Sequence, residues 1–290
     1  MSASMSTARR TSAGSVTTHS YHRRKAGASR RARCHARQVP TQLSMSRHLD
    51  AIRSAMVAFV RYAERAGLGA PVPTCPDWTV RDLVAHQGMV HRWATALVRG
   101  EHDVDPDAFE AAGRAAADPL EWLRDGAVAL ADELTRAPAD LHALVFLHDA
   151  PAPREFWARR QCHETTVHGV DALAAALGRW PTAEDTWIEP DLAVDGIDEL
   201  PGGFLTRPRS RLRCEEEALL VVAPDDAPDR WLVHLGPGPA VTERRVGPVF
   251  ADADWQLDGS AVSLYLALWN RTRRPGLDAG WRDRAAVTWG

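Results

Sequence analysis

The stretch REFWARRQCHETTVHGVDALAAALG, residues 154–178, reads as one helix closed by Gly178. At 100° per residue, Trp157, Arg160, Gln161, Glu164, His168 and Asp171 share a face, and Val170, Leu173 and Leu177 lie on the opposite side. Both faces are fit for burial, and one of them is conspicuously polar. Buried carboxylates and imidazoles need partners, and a metal ion is an economical one.

N-terminal to this helix the same periodicity recurs. From Ser46 to Gly67 a stripe of Leu49, Ile52, Met56, Phe59 and Ala63 ends at a glycine, followed by a proline-punctuated loop from Gly69 to Trp78. Thr79 with Asp82 resembles a capping box opening a helix to about Arg99, whose inward stripe is Leu83, His86, Val90, Trp93 and Leu97. A polar loop from Gly100 to Asp118 follows. Asp118 with Pro119 is an N-cap and first-turn pair for a helix carrying Leu120, Leu123, Ala127, Leu130 and Leu134, stopped near Pro138. Four amphipathic helices over residues 45–190 predict an antiparallel four-helix bundle with room for one long connection.

Past Trp180 prolines and glycines cluster, and short β-rich runs appear at Ala218–Ala223, Trp231–Leu235, Val241–Val246 and Trp255–Leu257. A helix is expected from about Ser260 to Asn270, and Ala285–Trp289 reads as a closing strand. Residues 191–290 therefore predict a small α+β domain, and the whole chain an α+β fold. The first 44 residues hold nine Lys or Arg, no Asp or Glu and almost no large apolar side chain, so they read as a disordered basic tail, with Met45 as the natural start. The remainder has 26 basic against 38 acidic residues, a net of −12 that disfavours nucleic acid and anionic membranes as partners. Apolar runs are too short to cross a bilayer. Four scattered cysteines form no CxxC pair, which points to a reduced, cytoplasmic setting. No glycine-rich phosphate loop is present. Cys75 reads as part of a turn that orients the second helix, Cys162 as a buried small side chain, and the run from His102 to Asp107 as a solvated acidic loop.

His163-Glu164-Thr165-Thr166-Val167-His168 has one residue too many for the zinc-protease signature, because histidines five apart diverge by about 140° on a straight helix. Glu164 and His168, four apart, stack on one face; His163 points elsewhere. His86 interrupts an apolar stripe on the second helix and is a candidate third ligand. Two histidines and one carboxylate leave an open position, as in catalytic rather than structural zinc sites. The same residues also fit a hydrogen-bonded core histidine beside a simple i,i+4 ion pair.

Two segments decide between these readings: PVPTCPDWTVRDLVAH, residues 71–86, and HETTVHGVD, residues 163–171. Together they resemble the mycothiol-dependent maleylpyruvate isomerase family, whose bundle is DinB-like and whose C-terminal domain is similar to a sterol-carrier protein. The resemblance implies a divalent metal, usually zinc, held by His86, Glu164 and His168, with mycothiol as cosubstrate. It implies that the metal lowers the thiol pKa and that the thiolate attacks an electrophilic small molecule, for isomerisation or S-transfer. It further implies an arginine on the substrate carboxylate; the place of Arg271 in the segment LYLALWNR, residues 264–271, makes it the first candidate, with Arg273 and Arg274 as alternatives close by, and a common glycine before it is Asn270 here. A monomer or homodimer is expected. The competing classes are a metal hydrolase with a metal-activated hydroxide and a non-enzymatic ligand-binding bundle.

Overall fold

The computed structural model describes residues 43–287 apart from 102, 148, 149, 275, 276, 278 and 286. Most of the basic tail, residues 1–42, lies outside the described residues. Three of the four expected bundle helices start on a side-chain cap. Ser44 caps α1 (Met45–Ala66), which ends at Gly67 with φ 83°, a left-handed conformation that favours glycine. Thr79 and Asp82 form a reciprocal capping box on α2 (Val80–Val98). Asp118 caps α4 (Pro119–Arg136) with proline in the first turn, and Pro153 opens α5 (Pro153–Leu177).

Two expected loops contain structure. The proline-rich stretch forms a small antiparallel hairpin, β1 (Pro71–Val72) and β2 (Cys75–Thr79). The polar loop from Gly100 to Asp118 holds α3 (Pro106–Ala115), capped by Asp105, while Asp103, Asp105 and Asp107 are exposed as the acidic run predicts. In α3 only Gly113 is buried, so this helix lies largely at the surface.

Helices α1, α2, α4 and α5 close a ring of contacts. Arg92 donates to the Trp122 carbonyl at 2.7 Å and Arg99 to Glu133 at 2.7 Å, so α2 and α4 run in the same sense. His48 faces His163, and Gly169 lies against the Ala55 carbonyl, so α1 and α5 also run together. Trp93 meets Trp157 while His86 meets His168, which sets the two parallel pairs antiparallel to one another. A parallel neighbour requires a crossover, and residues 99–118, with α3 inside them, are that long connection.

After α5 the chain forms α6 (Pro190–Asp198), which widens into a π-helical turn at Glu199–Phe204. A four-stranded sheet follows: β3 (Ala218–Pro224), β4 (Asp229–Leu235), β5 (Val241–Val246) and β6 (Trp255–Gly259), in the order β5-β4-β3-β6. The pairings are antiparallel except β3 with β6. Helix α7 (Ala261–Leu268), capped by Ser260, lies on α6 and against β3 and β6. Helix α8 (Ala279–Ala285) ends where a closing strand over Ala285–Trp289 is expected; Ala285 is helical, and residues 286, 288 and 289 lie outside the described residues. No helix among the described residues is long and apolar enough to cross a membrane.

Candidate metal centre

Every residue of α5 from Arg160 to Ala174 is buried, so its polar and apolar faces are both inside. Arg160, Glu164, His168 and Asp171 follow at steps of four, four and three, forming a charged stripe toward α2 and the hairpin. His86, on α2, meets this stripe. Its Nε2 lies 3.8 Å from Glu164 Oε1, and His168 Nε2 lies 3.2 Å from the same oxygen. One donor atom from each of His86, Glu164 and His168 falls within 4.8 Å of the others. Tetrahedral zinc with bonds near 2.0–2.1 Å separates its donors by about 3.3 Å. The His86 to Glu164 gap thus has about half an ångström to close, within the reach of a side-chain adjustment. The set of two imidazoles and a carboxylate fits a divalent cation with a vacant fourth direction.

Glu164 and His168 are held by partners. Arg160 donates to Glu164 and, with its other terminal nitrogen, to Glu199 from the π-helical turn. His168 Nδ1 is 2.8 Å from Asp171 Oδ2, leaving Nε2 for the shared point. Asp171 accepts from Thr74 Oγ1 at 2.6 Å and from Arg271 Nη2 at 3.0 Å, with Arg271 Nε 2.8 Å from its other oxygen. His86 Nδ1 lies 4.0 Å from Glu110 Oε2 on α3. The carboxylate of Asp171 behind the His168 imidazole is the usual way a metal-ligating histidine is oriented. Trp78 covers this side, its ring 4.8 Å from that of His86 and 6.0 Å from that of His168.

Electrostatics make the pocket hungry for positive charge. Burial works to raise the Glu164 carboxyl, yet the Arg160 guanidinium and the two histidines hold it well below the ordinary carboxylate range. Asp171 is depressed likewise, burial being overcome by Arg271 and His168. Burial disfavours a charged His168, but Asp171 and Glu164 outweigh it and raise its pKa. A cation bound at Nε2 takes the place of that proton.

Arg271 does not present a free fork. Its guanidinium is taken by Asp171 and by the Trp269 carbonyl at 2.8 Å, so what it holds is Asp171 and, through it, His168. Asn270 before it has φ 61°, the left-handed region where glycine and asparagine are tolerated best. His163 does point elsewhere: with His48 and Asp195 it forms a second cluster on the far side of α5. Cys162 is buried, and burial pushes the Cys75 thiol up to about 12, so neither offers a ready thiolate. Sequence reasoning missed Glu110, whose helix it read as a loop; the signal was the Asp105-Pro106 pair, the same start device as Asp118-Pro119. It also missed Glu199, which no periodic pattern marks.

Beside the donors a cavity of about 260 Å³ opens between α2, α3 and α5. His86 and Glu164 form part of its wall, and the His86 side chain is 18% exposed, so the vacant direction is reachable.

Comparison with known proteins gives consistent findings. A family model described as the mycothiol maleylpyruvate isomerase N-terminal domain matches residues 49–173, and one for the C-terminal domain matches residues 191–288. Two solved structures of mycothiol-dependent maleylpyruvate isomerase, one a point mutant, align with TM-scores of 0.51 and 0.52 at 16% identity, covering 78% of this chain and 88% of each of theirs. At that identity the likeness concerns the fold. A search of curated proteins finds no match.

Proposed function

The chain belongs to the mycothiol maleylpyruvate isomerase family, and from that premise we propose a metal-dependent enzyme that uses a low-molecular-weight thiol, mycothiol, on an electrophilic small molecule. The observation that carries the reading is the convergence of His86, Glu164 and His168 from two helices, with an accessible fourth direction. A divalent cation there, zinc by its donor set, supplies Lewis acidity that lowers the thiol pKa, so the thiolate exists at neutral pH.

The side chains do the rest. Arg160 keeps Glu164 ionised, and Asp171 fixes the ring of His168. Arg271 and Thr74 fix Asp171 in turn, so Arg271 is a positioning residue in this reading rather than a substrate clamp. Trp78 screens the donors from water on one side. The cavity presents the electrophile to the thiol sulfur. In isomerisation a carbon–sulfur bond forms at a double bond, the resulting single bond rotates, and the sulfur departs with its electron pair. In S-transfer the adduct is kept: either a leaving group departs with its bonding electron pair, or the carbanion formed by addition takes a proton from water in place of the one the thiol gave up. We take the bundle and the α+β part as separate domains meeting near residue 190, and the setting as cytoplasmic.

Elemental analysis and thiol-dependent turnover test this together. Wild-type protein is expected to carry near-stoichiometric metal and to turn over mycothiol with maleylpyruvate or another electrophile, losing activity to a chelator. Glu164→Ala and His86→Ala are expected to lose metal and turnover while keeping the helical circular dichroism. Full metal retention in either variant, or turnover indifferent to chelation, overturns the reading.

A further inference from the structure

Glu199 is a buried carboxylate that does not line the cavity. Its place follows from the chain. Pro201 has no amide hydrogen to continue the α-helical ladder, and Leu205 donates to the Leu200 carbonyl, five residues back, at 2.9 Å. From this widened turn Glu199 and Phe204 both meet Arg160 of α5. The guanidinium lies 5.1 Å from the centre of the Phe204 ring and 5.3 Å from that of Trp269, and the residue is 2% exposed. Its two terminal nitrogens serve two carboxylates, Nη1 donating to Glu199 and Nη2 to Glu164.

One carboxylate neutralises one guanidinium, so a second carboxylate in a dry interior calls for a further positive charge. The side chains linked by direct contact to the donors show where it belongs. Glu164, Asp171 and Glu199 are carboxylates, Arg160 and Arg271 are guanidinium groups, and both imidazoles are neutral as ligands. The set therefore carries one net negative charge. Without Glu199 it is neutral, and a neutral set attracts a divalent cation poorly. With Glu199 a divalent cation leaves a single positive charge, which one anionic ligand in the fourth direction cancels. Nearby charges have partners of their own or face water. Glu110 is matched by Arg114 at 2.7 Å, and Arg159 by Asp195 and Asp198 at 3.0 and 3.1 Å. Arg207, 4.5 Å over the Phe204 ring, is partly exposed and screened by solvent.

We propose that Glu199 is a positioning residue for the metal centre, acting through Arg160. By holding Nη1 it keeps the guanidinium from closing on Glu164 with both nitrogens, so Glu164 Oε1 stays with the imidazoles. Its charge also offsets that of Arg160, which would otherwise repel a cation at the donors. This rests on the reading of His86, Glu164 and His168 as metal ligands.

Zinc affinity of the metal-stripped full chain, measured by competition with a chromophoric chelator beside thermal unfolding, tests it. Glu199→Gln keeps the shape and an acceptor oxygen for Arg160 but removes the charge. The folded variant is expected to bind zinc about tenfold or more weakly than wild type. Arg160→Met/Glu199→Gln removes both charges together and returns the set to one net negative charge, so zinc affinity is expected to recover toward that of wild type. A purely structural role would lower the melting temperature and leave the zinc affinity of the folded variants unchanged. Zinc held by Glu199→Gln as tightly as by wild type overturns the proposal, and so does a double variant that binds no better than Glu199→Gln. Should Glu199→Gln fail to fold, the double variant decides: affinity near that of wild type supports the charge balance, and affinity about tenfold weaker overturns it. Wild type that binds no zinc removes the metal reading and this role with it; wild type and Glu199→Gln that bind zinc alike remove only the role of Glu199.

Discussion

Helix α5 carries two clusters with the same ingredients. On one side His86, Glu164 and His168 bring two imidazoles and a carboxylate within 4.8 Å; on the other His48, His163 and Asp195 do the same. Their surroundings differ. Glu164 gives Oε1 to the histidines and Oε2 to Arg160, so the guanidinium stands behind the carboxylate and leaves the shared point free. Around Asp195 everything converges on one oxygen: His163 Nε2 at 2.8 Å, His48 Nε2 at 3.0 Å and Arg159 Nε at 3.0 Å, all on Oδ2. Here a fixed cation already occupies the place an ion would take. Nor is there an opening, since His48, His163 and Asp195 are all buried. A donor count therefore does not define a metal site; what decides is where the permanent positive charge sits and whether a side is open.

The two clusters come apart most sharply on substitution of the carboxylate. Glu164→Ala is expected to lower bound metal by about tenfold or more while the fold persists, since removing one of three ligands dismantles the site. Asp195→Ala is expected to leave metal content unchanged and to cost about 3–5 kcal/mol of stability, because it strips two buried histidines of their carboxylate and leaves Arg159 Nε unpaired, although Asp198 and the backbone carbonyl of residue 195 still hold its Nη2. At the scale of this chain that lowers the melting temperature by roughly 10 °C. Metal analysis beside thermal unfolding reads both. Metal loss from the folded Asp195 variant would show that the second cluster also holds an ion.

A smaller effect is expected at Gly196, where α6 passes the closed cluster. A Cβ there would lie 2.3 Å from a Tyr265 ring carbon and 2.8 Å from His163 Nδ1. Tyr265 OH is itself 3.2 Å from that nitrogen, so neither group can withdraw without breaking their contact. Gly196→Ala is expected to destabilise by about 1–3 kcal/mol, read by urea unfolding, with metal content untouched. A neutral result would mean that the cluster yields easily and does not fix α6 on the bundle.

The open cluster was legible in the sequence and the closed one was not, for a physical reason. Glu164 and His168 lie one turn apart, so helix geometry alone pairs them, and His86 betrays itself as a polar interruption of an apolar stripe. Asp195 and His48 lie 147 residues apart, and no local period links them. Elements followed the same rule. The long helices α1, α2, α4 and α5 lie within a residue or two of expectation, whereas α3 and α6 are short and their starts, Asp105-Pro106 and Glu189-Pro190, went unread. The role of Arg271 was inferred from likeness alone, and only coordinates could reveal that Asp171 claims its guanidinium.

A third histidine sharpens the contrast from the other direction. His91, five residues beyond His86 on α2, is fully buried, 2.8 Å from Gln87 Nε2 and 3.0 Å from Thr165 Oγ1, with no ion pair to a carboxylate among the described residues. Burial pushes its pKa down to about 3, with Arg92 adding to the effect. In the unfolded chain the same imidazole takes a proton near the ordinary value of about 6.5. Between those limits the unfolded state binds the proton and the folded state does not, so stability falls as pH drops through that window, by about 1.4 kcal/mol per pH unit from this residue. Asp195, held far below the ordinary carboxylate range against the pull of burial by His163, His48 and Arg159, contributes stability that is lost only at more acidic pH, below about 3.9. The interval from pH 6 to pH 4.5 thus isolates His91 from that carboxylate. His91→Gln is expected to flatten the slope there, so the stability difference between wild type and variant should shrink by about 1.4 kcal/mol per unit as pH falls, measured by urea unfolding at three pH values. A difference that stays constant across the interval would mean that His91 already titrates in the folded state and that the interior of α2 is less dry than its packing indicates.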